Sequence, residues 1–139
     1  LTLELYAQPF LSSGRYDRFQ EFARPRTIDM LEYGKTAGTI DRQLGDRGVT
    51  ASYRVDPDGA GPAKAFTFDN PDFNFRSLRG TAVLRWEYRP GATLFAVWTQ
   101  SREGSAAFGD FDFGRERSAL FRERPTNVFQ VKVNYWIGR

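Results

Sequence analysis

The sequence predicts an all-β protein built from antiparallel strands, and three observations support this. Apolar and polar residues alternate in four segments, at about 1–11, 77–89, 92–102 and 127–138, with the two-residue period of a strand. Turn signals rich in Gly, Pro, Asn and Asp lie between them. Aromatic residues make up 16% of the chain, and no segment has the Leu-rich pattern of a long helix.

The composition excludes several classes of function. The 139 residues are enough for one domain with a core, and we treat 1–139 as a single segment. Cys and His are absent, which removes thiolate ligands and the commonest general base and metal ligand. We therefore expect no enzyme activity and no cofactor. The net charge of +3 arises from interspersed Arg, Asp and Glu rather than from a basic cluster, so we expect no nucleic-acid partner.

The first strand, at about 1–11, starts inside an alternating pattern. Leu1, Leu3 and Leu5 fall on one side of the strand, and Thr2 and Glu4 fall on the other. The opening residues have no basic start, no apolar run and no cleavage site of the kind a signal peptide carries. We therefore expect the chain to begin partway through a longer protein.

Residues 12–76 form the first long loop of the predicted topology. The loop contains two candidate strands, at 49–55 and 65–68, and the segment 28–33 fits either a strand or a helical turn. Nine aromatic residues crowd it. We expect their rings to form a small core that keeps the loop folded, the alternative being exposed rings that stack on sugars or on a partner protein. They are Tyr16, Phe19, Phe22, Tyr33, Tyr53, Phe66, Phe68, Phe73 and Phe75.

The strands at 77–89 and 92–102 form a predicted hairpin. Pro90 and Gly91 suit the second and third positions of a tight turn. A loop with an even number of residues would place Leu84 on the same face as Val97.

The second long loop, at 103–126, leads into the last strand. It is rich in Gly, Phe and charge, with one helical turn expected near 115–121. The last strand, at about 127–138, is the cleanest in the chain. Phe129, Val131, Val133, Tyr135 and Ile137 fall on one side, and Gln130, Lys132 and Asn134 fall on the other.

The strand lengths and connections favour a membrane barrel. Strands of about eleven residues match the roughly 9–11 residues with which tilted β structure crosses a bilayer. The connections run long, short and long, and outer-membrane barrels have short periplasmic turns and longer extracellular loops. We therefore expect the C-terminal part of a transmembrane β-barrel with two long extracellular loops, located in the bacterial outer membrane. The alternatives are a soluble β-sandwich that binds carbohydrate or protein, and a structural subunit that assembles through strand edges.

The alternation assigns residues to the two sides of this barrel wall. Outer-membrane lipid would contact the apolar side, which includes aromatic residues near the interfaces. The predicted lipid-facing and girdle residues are Trp86, Tyr88, Phe129, Val131, Val133 and Tyr135. The predicted lumen-facing polar residues are Arg79, Arg85, Glu87 and Lys132. Because their charges have mixed signs, we favour stabilising ion pairs in the lumen over selection of solutes.

Three segments resemble one family of bacterial envelope proteins. They are 70–80 (NPDFNFRSLRG), 83–91 (VLRWEYRPG) with 97–100 (VWTQ), and 127–136 (NVFQVKVNYW). Proteins of that family pair a carbohydrate-binding-like N-terminal domain, of the family 9 type, with a C-terminal domain of unknown function. The resemblance implies that the C-terminal domain is an outer-membrane barrel. The chain departs from the usual aromatic ending of such barrels at Arg139.

Four membrane-length strands are too few to close a barrel, because single-chain outer-membrane barrels start at about eight strands. An open sheet in lipid would leave unpaired backbone groups along two edges, each costing several kcal/mol. We expect the remaining strands to come from the same protein, from another chain or from copies of this one. The resemblance favours the first source.

A possible calcium loop lies at 56–59. Asp56 and Asp58 are followed by Gly59, as in an acid-x-acid-Gly loop. Calcium takes 6–8 oxygen ligands, so the two carboxylates are an incomplete set. We therefore interpret them as residues of a turn and expect no metal site.

Thermal unfolding with calcium should coincide with thermal unfolding in a chelator. A bound ion would stabilise the folded state by about 2.7 kcal/mol at a hundred times its dissociation constant. A shift of that size in the calcium sample, absent from a magnesium control, would establish a calcium site.

Overall fold

The computed structural model describes residues 1–137. The end of the last predicted strand, at 138, and the predicted departure at Arg139 lie outside the described residues. The described part is mostly β and has antiparallel sheets, as predicted. Its elements are β1 (Thr2–Gly14), β2 (Gln20–Phe22), β3 (Met30–Glu32), β4 (Thr39–Leu44), a 3-10 turn (Asp46–Gly48), β5 (Thr50–Asp56), β6 (Phe66–Asp69), β7 (Phe73–Arg89), β8 (Ala92–Ala106), α1 (Phe113–Arg122) and β9 (Thr126–Tyr135).

The described chain forms two compact units. The first unit contains residues 1–12, 75–105 and the chain from 111 onward. The second contains 13–74 and 106–110. The second unit is built from strands of three to seven residues, which are too short to display a clear alternation in the sequence.

The first unit is built on a four-stranded sheet with the order β1-β7-β8-β9. These are the four predicted strands. The structure extends β1 to Gly14, starts β7 at Phe73 and carries β8 on to Ala106. The sequence did not predict these extensions, because the additional residues do not continue the amphipathic pattern. Backbone pairing with a neighbouring strand, and not side-chain alternation, fixes where a strand ends.

The strand pairings in this sheet run antiparallel. β8 and β9 pair without interruption from Ala92 opposite Tyr135 to Ser101 opposite Thr126. Between β1 and β7, Gly80 approaches the carbonyl of Tyr6, while Gly14 approaches the ring of Phe73. Because residue numbers rise along one strand as they fall along the other, these two strands are antiparallel as well.

The predicted hairpin turn is present between β7 and β8. Gly91 has a φ of 77°, in the left-handed region that glycine adopts readily and that the third position of a type II turn requires. The backbone N–H of Trp136 donates to the carbonyl of Gly91 at 3.1 Å, which attaches the residue after β9 to this turn.

The second unit replaces most of the predicted first loop. It contains a two-stranded sheet, β2-β3, and a three-stranded sheet, β4-β5-β6. The candidate strands at 49–55 and 65–68 correspond to β5 and β6, and β3 lies within 28–33. Backbone pairing between these short strands gives the segment 12–76, predicted as the first long loop, its own structure.

Part of the expected aromatic cluster is present in the second unit. Tyr16, Phe22, Phe66, Phe73 and Phe75 are exposed, and Phe75 belongs to the first unit. The ring centroid of Phe19 lies 4.8 Å from that of Tyr53 and 5.0 Å from that of Phe68. Tyr53 and Phe68 are stacked at 5.4 Å. Val55 on β5 is completely buried. Aromatic contacts of this kind add stability beyond the area that they bury.

The predicted second loop is also partly ordered. β8 occupies its first residues, and the expected helical turn at 115–121 lies inside α1. Asp112 caps this helix, its carboxylate accepting the Arg115 backbone N–H at 2.6 Å. Within residues 1–137, neither helical segment has the length and apolar character needed to cross a membrane.

Val55→Ala should destabilise the second unit by about 2 kcal/mol, because it removes two buried methyl groups and leaves a cavity. Val49→Ala, on an exposed side chain of the same unit, is the matched control and should change stability by less than about 0.5 kcal/mol. Hydrogen exchange of the β4–β6 amides measures both. Equal effects of the two substitutions would contradict this core.

Candidate functional site

The strongest candidate site is one face of the four-stranded sheet. In an antiparallel pair, side chains of directly opposite residues lie on the same face. Leu94 is opposite Val133, and Trp98 is opposite Phe129. The side chains on the same side of β8 as Leu94 and Trp98 therefore share one face of the sheet with those on the same side of β9 as Phe129 and Val133.

Two shallow grooves extend this face across β7 and β1. One is lined by Leu3, Ala82 and Leu84 together with Trp98 and Phe129. The other joins Leu5 and Ala7 to Leu78 and Gly80. We call this surface the apolar face. It consists of Leu3, Leu5, Ala7, Leu78, Gly80, Ala82, Leu84, Leu94, Ala96, Trp98, Phe129, Val131, Val133 and Tyr135.

Large side chains of the apolar face are open to solvent in the isolated chain. Leu5 is 75% exposed, Phe129 74% and Val131 70%. Single exposed apolar side chains are ordinary in proteins, but a contiguous apolar surface indicates a binding or membrane surface.

The other face of the sheet carries the charged residues. Lys132 is opposite Phe95 in the β8–β9 ladder. The guanidinium of Arg85 lies 5.9 Å from the ring centroid of Phe95, so Arg85 reaches the same side. Alternation along β7 places Arg79 and Glu87 with Arg85. We call this surface the polar face, and it brings together the four residues predicted to face a lumen.

The expected match between β7 and β8 is wrong. The sequence placed Leu84 with Val97. The groove at Leu84 is lined by Ala96 and Trp98 as well as Val97, and Val97 also lines a groove with Phe95 and Lys132 of the polar face. Arg85 contacts Phe95, a residue of the opposite row. The register between two strands depends on backbone geometry that the residue types Pro90 and Gly91 do not specify alone.

The predicted girdle residues cluster towards the turn. The Trp86 and Tyr88 rings contact each other at 6.0 Å. The guanidinium of Arg89 lies over the Tyr135 ring, 4.3 Å from its centroid, a cation–π geometry. Farther along the sheet, Trp98 stacks on Phe129 at 6.2 Å and donates its indole N–H to Asn127 at 3.0 Å. The sequence did not single out Trp98, although its place in the alternating row was a usable signal.

A buried ion cluster joins α1 to β7. Arg76 lies 2.7 Å from Glu123 and 3.6 Å from Glu116, and Arg115 lies 2.8 Å from Glu116. Only 1% of Glu116 is exposed. A buried carboxylate without a cationic partner costs several kcal/mol, so Arg76 is needed to hold Glu116 inside the unit. Sequence reasoning missed this cluster, because Arg76 lies 40 positions from Glu116 and 47 from Glu123.

The candidate calcium residues act as turn caps. Asp56 accepts the backbone N–H of Gly59 at 2.9 Å, and Asp58 accepts that of Ala63 at 2.9 Å. Each carboxylate thus satisfies a local backbone donor, the usual role of Asp in a turn. The part of the chain that the structure describes contains no group of three or more acidic residues placed to hold a metal ion.

The second unit has an open groove of mixed polarity. Its lining includes Arg42, Glu32, Tyr33, Tyr53 and Asp72. The hydroxyl of Tyr33 donates to the carboxylate of Glu21 at 2.7 Å. Burial raises the pKa of Tyr33 to about 12, and the hydrogen bond and negative charge of Glu21 act in the same direction.

Residues 46–138 match the model of a protein family described as a domain of unknown function, DUF5916. The match covers about two-thirds of the chain. The chain belongs to the DUF5916 family. In this DUF5916 chain the matched region includes β5 to β9, and with them the part of the apolar face that lies on β7, β8 and β9. No curated protein and no solved structure matches the sequence.

Tyr33 should lose its proton near pH 12 in the folded protein. Its pKa is raised from 10.0, so the neutral phenol stabilises the folded state fully below about pH 10, and this stabilisation disappears as the pH rises towards 12. The difference in phenolate absorbance between wild type and Tyr33→Phe isolates this titration. The stability difference between the two proteins should shrink over the same interval. Titration at pH 10 or below would contradict the buried hydrogen bond to Glu21.

Proposed function

We propose that the chain is the membrane-embedded part of a bacterial outer-membrane β-barrel and acts as an anchor or as a channel wall. The observation that carries the proposal is the apolar face, which runs through all four strands of the sheet and stays exposed in the isolated chain. Lipid acyl chains would cover such a face without any further protein element.

The dimensions of the sheet fit a bilayer. From Leu78 to Tyr88 on β7 there are ten residue steps, or about 33 Å along the strand. At a strand tilt of roughly 40° this distance spans about 25 Å, the height of the apolar band of outer-membrane barrels. The rings of Trp86 and Tyr88 would then lie at the interface next to the short turn, on the periplasmic side.

The polar face would line the interior of the barrel. Arg79, Arg85, Glu87 and Lys132 bring both signs of charge to it. Mixed charges on a lumen wall form ion pairs across the barrel, which favours a structural wall over a pore selective for one sign of charge. The proposal therefore includes no catalytic role and no cofactor.

The two edge strands of the sheet indicate which kind of partner the chain needs. β1 and β9 are the first and last strands of the sheet, so each has one side outside this ladder. In hydrocarbon these backbone groups need partners, so the proposal requires further strands to pair with β1 and β9. The resemblance to envelope proteins with a carbohydrate-binding-like N-terminal domain favours strands of the same protein.

Two alternatives make different predictions. In a soluble β-sandwich, a second sheet from another segment or protein would cover the apolar face, and the protein would remain in the aqueous phase of a detergent partition. A structural subunit that assembles through its edges would form concentration-dependent assemblies without detergent. A membrane barrel should instead partition with the detergent.

Val133→Arg should impair folding into bilayers by about 2–4 kcal/mol, because it places a charge on the lipid side of the wall. Lys132→Val, at the neighbouring position on the polar face, should have a much smaller effect and is the matched control. The fraction of heat-resistant folded protein after refolding into vesicles measures both. Equal effects, or the reverse order, would refute the assigned orientation.

Native mass spectrometry in detergent tests the need for additional strands. The 15.9 kDa chain alone should appear as oligomers or as incompletely folded protein, because its sheet has two open edges. A protease-resistant monomer with full β content would rule out the barrel-segment proposal and favour a compact soluble fold.

A further inference from the structure

Negative and positive side chains lie on opposite sides of α1. Its acidic residue Glu116 is buried against Arg76, and the C-cap residue Glu123 is half-buried against the same guanidinium. Arg117 and Arg122 are exposed. The outer side of the helix therefore presents positive charge, while its carboxylates face inward.

Two phenylalanines accompany these arginines. Phe113 is 60% exposed and Phe121 is 59% exposed. Residues four apart lie on the same stripe of a helix, so Phe113, Arg117 and Phe121 form one continuous row. Arg122 and Ser118 lie beside it. Exposed aromatic rings interleaved with arginine are typical of a helix that rests on a lipid surface.

The contacts between α1 and the sheet show which face of the sheet the helix covers. Arg76 on β7 pairs with Glu123, and Arg102 on β8 donates to the Phe121 carbonyl at 2.8 Å. By alternation, Arg76 falls in the Leu78–Leu84 row and Arg102 in the Ala96–Trp98 row. The helix thus packs over the apolar face, at the end of the sheet away from the Pro90–Gly91 turn.

We propose that α1 lies on the membrane surface and binds phosphate-bearing lipid headgroups through Arg117 and Arg122, with Phe113 and Phe121 among the acyl chains. This inference rests on the proposed function, in which the apolar face points out of the barrel towards lipid. A helix packed over that face, at the rim opposite the short turn, lies outside the wall at headgroup level. Arginine is well suited to phosphate, since its guanidinium donates two parallel hydrogen bonds.

The natural absence of cysteine allows a clean test. Ser118→Cys, on the outer side of α1, would carry an environment-sensitive fluorophore, and separate proteins labelled at Val133→Cys and Ala60→Cys would serve as references. Val133 reports on the apolar face, and Ala60 lies in an exposed turn of the second unit. Each protein is reconstituted into phosphatidylcholine vesicles with increasing phosphatidylglycerol.

The Ser118 label should shift to a less polar emission as phosphatidylglycerol increases, and high salt should reverse the shift. Arg117→Gln/Arg122→Gln should weaken the response by about fivefold for each arginine removed. Inorganic phosphate without anionic lipid should cause no shift, which separates lipid headgroups from free phosphate. The Ala60 label should remain aqueous throughout.

The three labels distinguish a failure of the helix inference from a failure of the barrel proposal. A Val133 label in hydrocarbon with an aqueous Ser118 label would overturn the helix inference and leave the barrel proposal standing. An aqueous Val133 label in vesicle-bound protein that has its full β content would overturn both. A Ser118 shift that is independent of anionic lipid, or unaffected by the double substitution, would overturn the role of the arginines.

Discussion

The antiparallel register between β8 and β9 determines which side chains face each way in the first unit. It sets Leu94 against Val133 and Trp98 against Phe129, and so continues the apolar row from one strand to the next. A slip of one residue would move every side chain of β9 to the opposite face. Lys132 would then enter the apolar surface, and Val131 and Val133 would leave it. The contrast between the two faces depends on this ladder.

The amphipathic pattern predicted the four long strands because each of them has one apolar side over many residues. The same pattern places Arg79, Arg85 and Glu87 on one side of β7, and of these three Arg85 contacts Phe95. The pattern could not align β7 with β8, since any register keeps a period of two along each strand. The Arg85–Phe95 contact is a result of the three-dimensional pairing alone.

The features that the sequence did not predict, in the second unit and at α1, depend on contacts between distant residues. The features that it did predict depend on neighbouring residues. A strand such as β3, with three residues, cannot display a period, and only its ladder with β2 defines it. The contact of Arg76 with Glu123 joins positions 47 apart, and a charged residue at the start of an alternating strand gave no hint of its partner. The Asp56 turn was predictable because its hydrogen bond spans three residues.

The contact of Gly14 with the Phe73 ring has a consequence for the order of folding. Both residues belong to the second unit, and they lie at the end of β1 and at the start of β7. Bringing β1 to β7 in an unfolded chain would close a loop of nearly 60 residues, an entropic cost that grows with the logarithm of loop length. If the second unit folds first, this closure is already complete when the strands meet. Pairing between strands far apart in the sequence is intrinsically slow, so a contact that brings Gly14 to Phe73 early shortens the loop that the β1–β7 pairing must close.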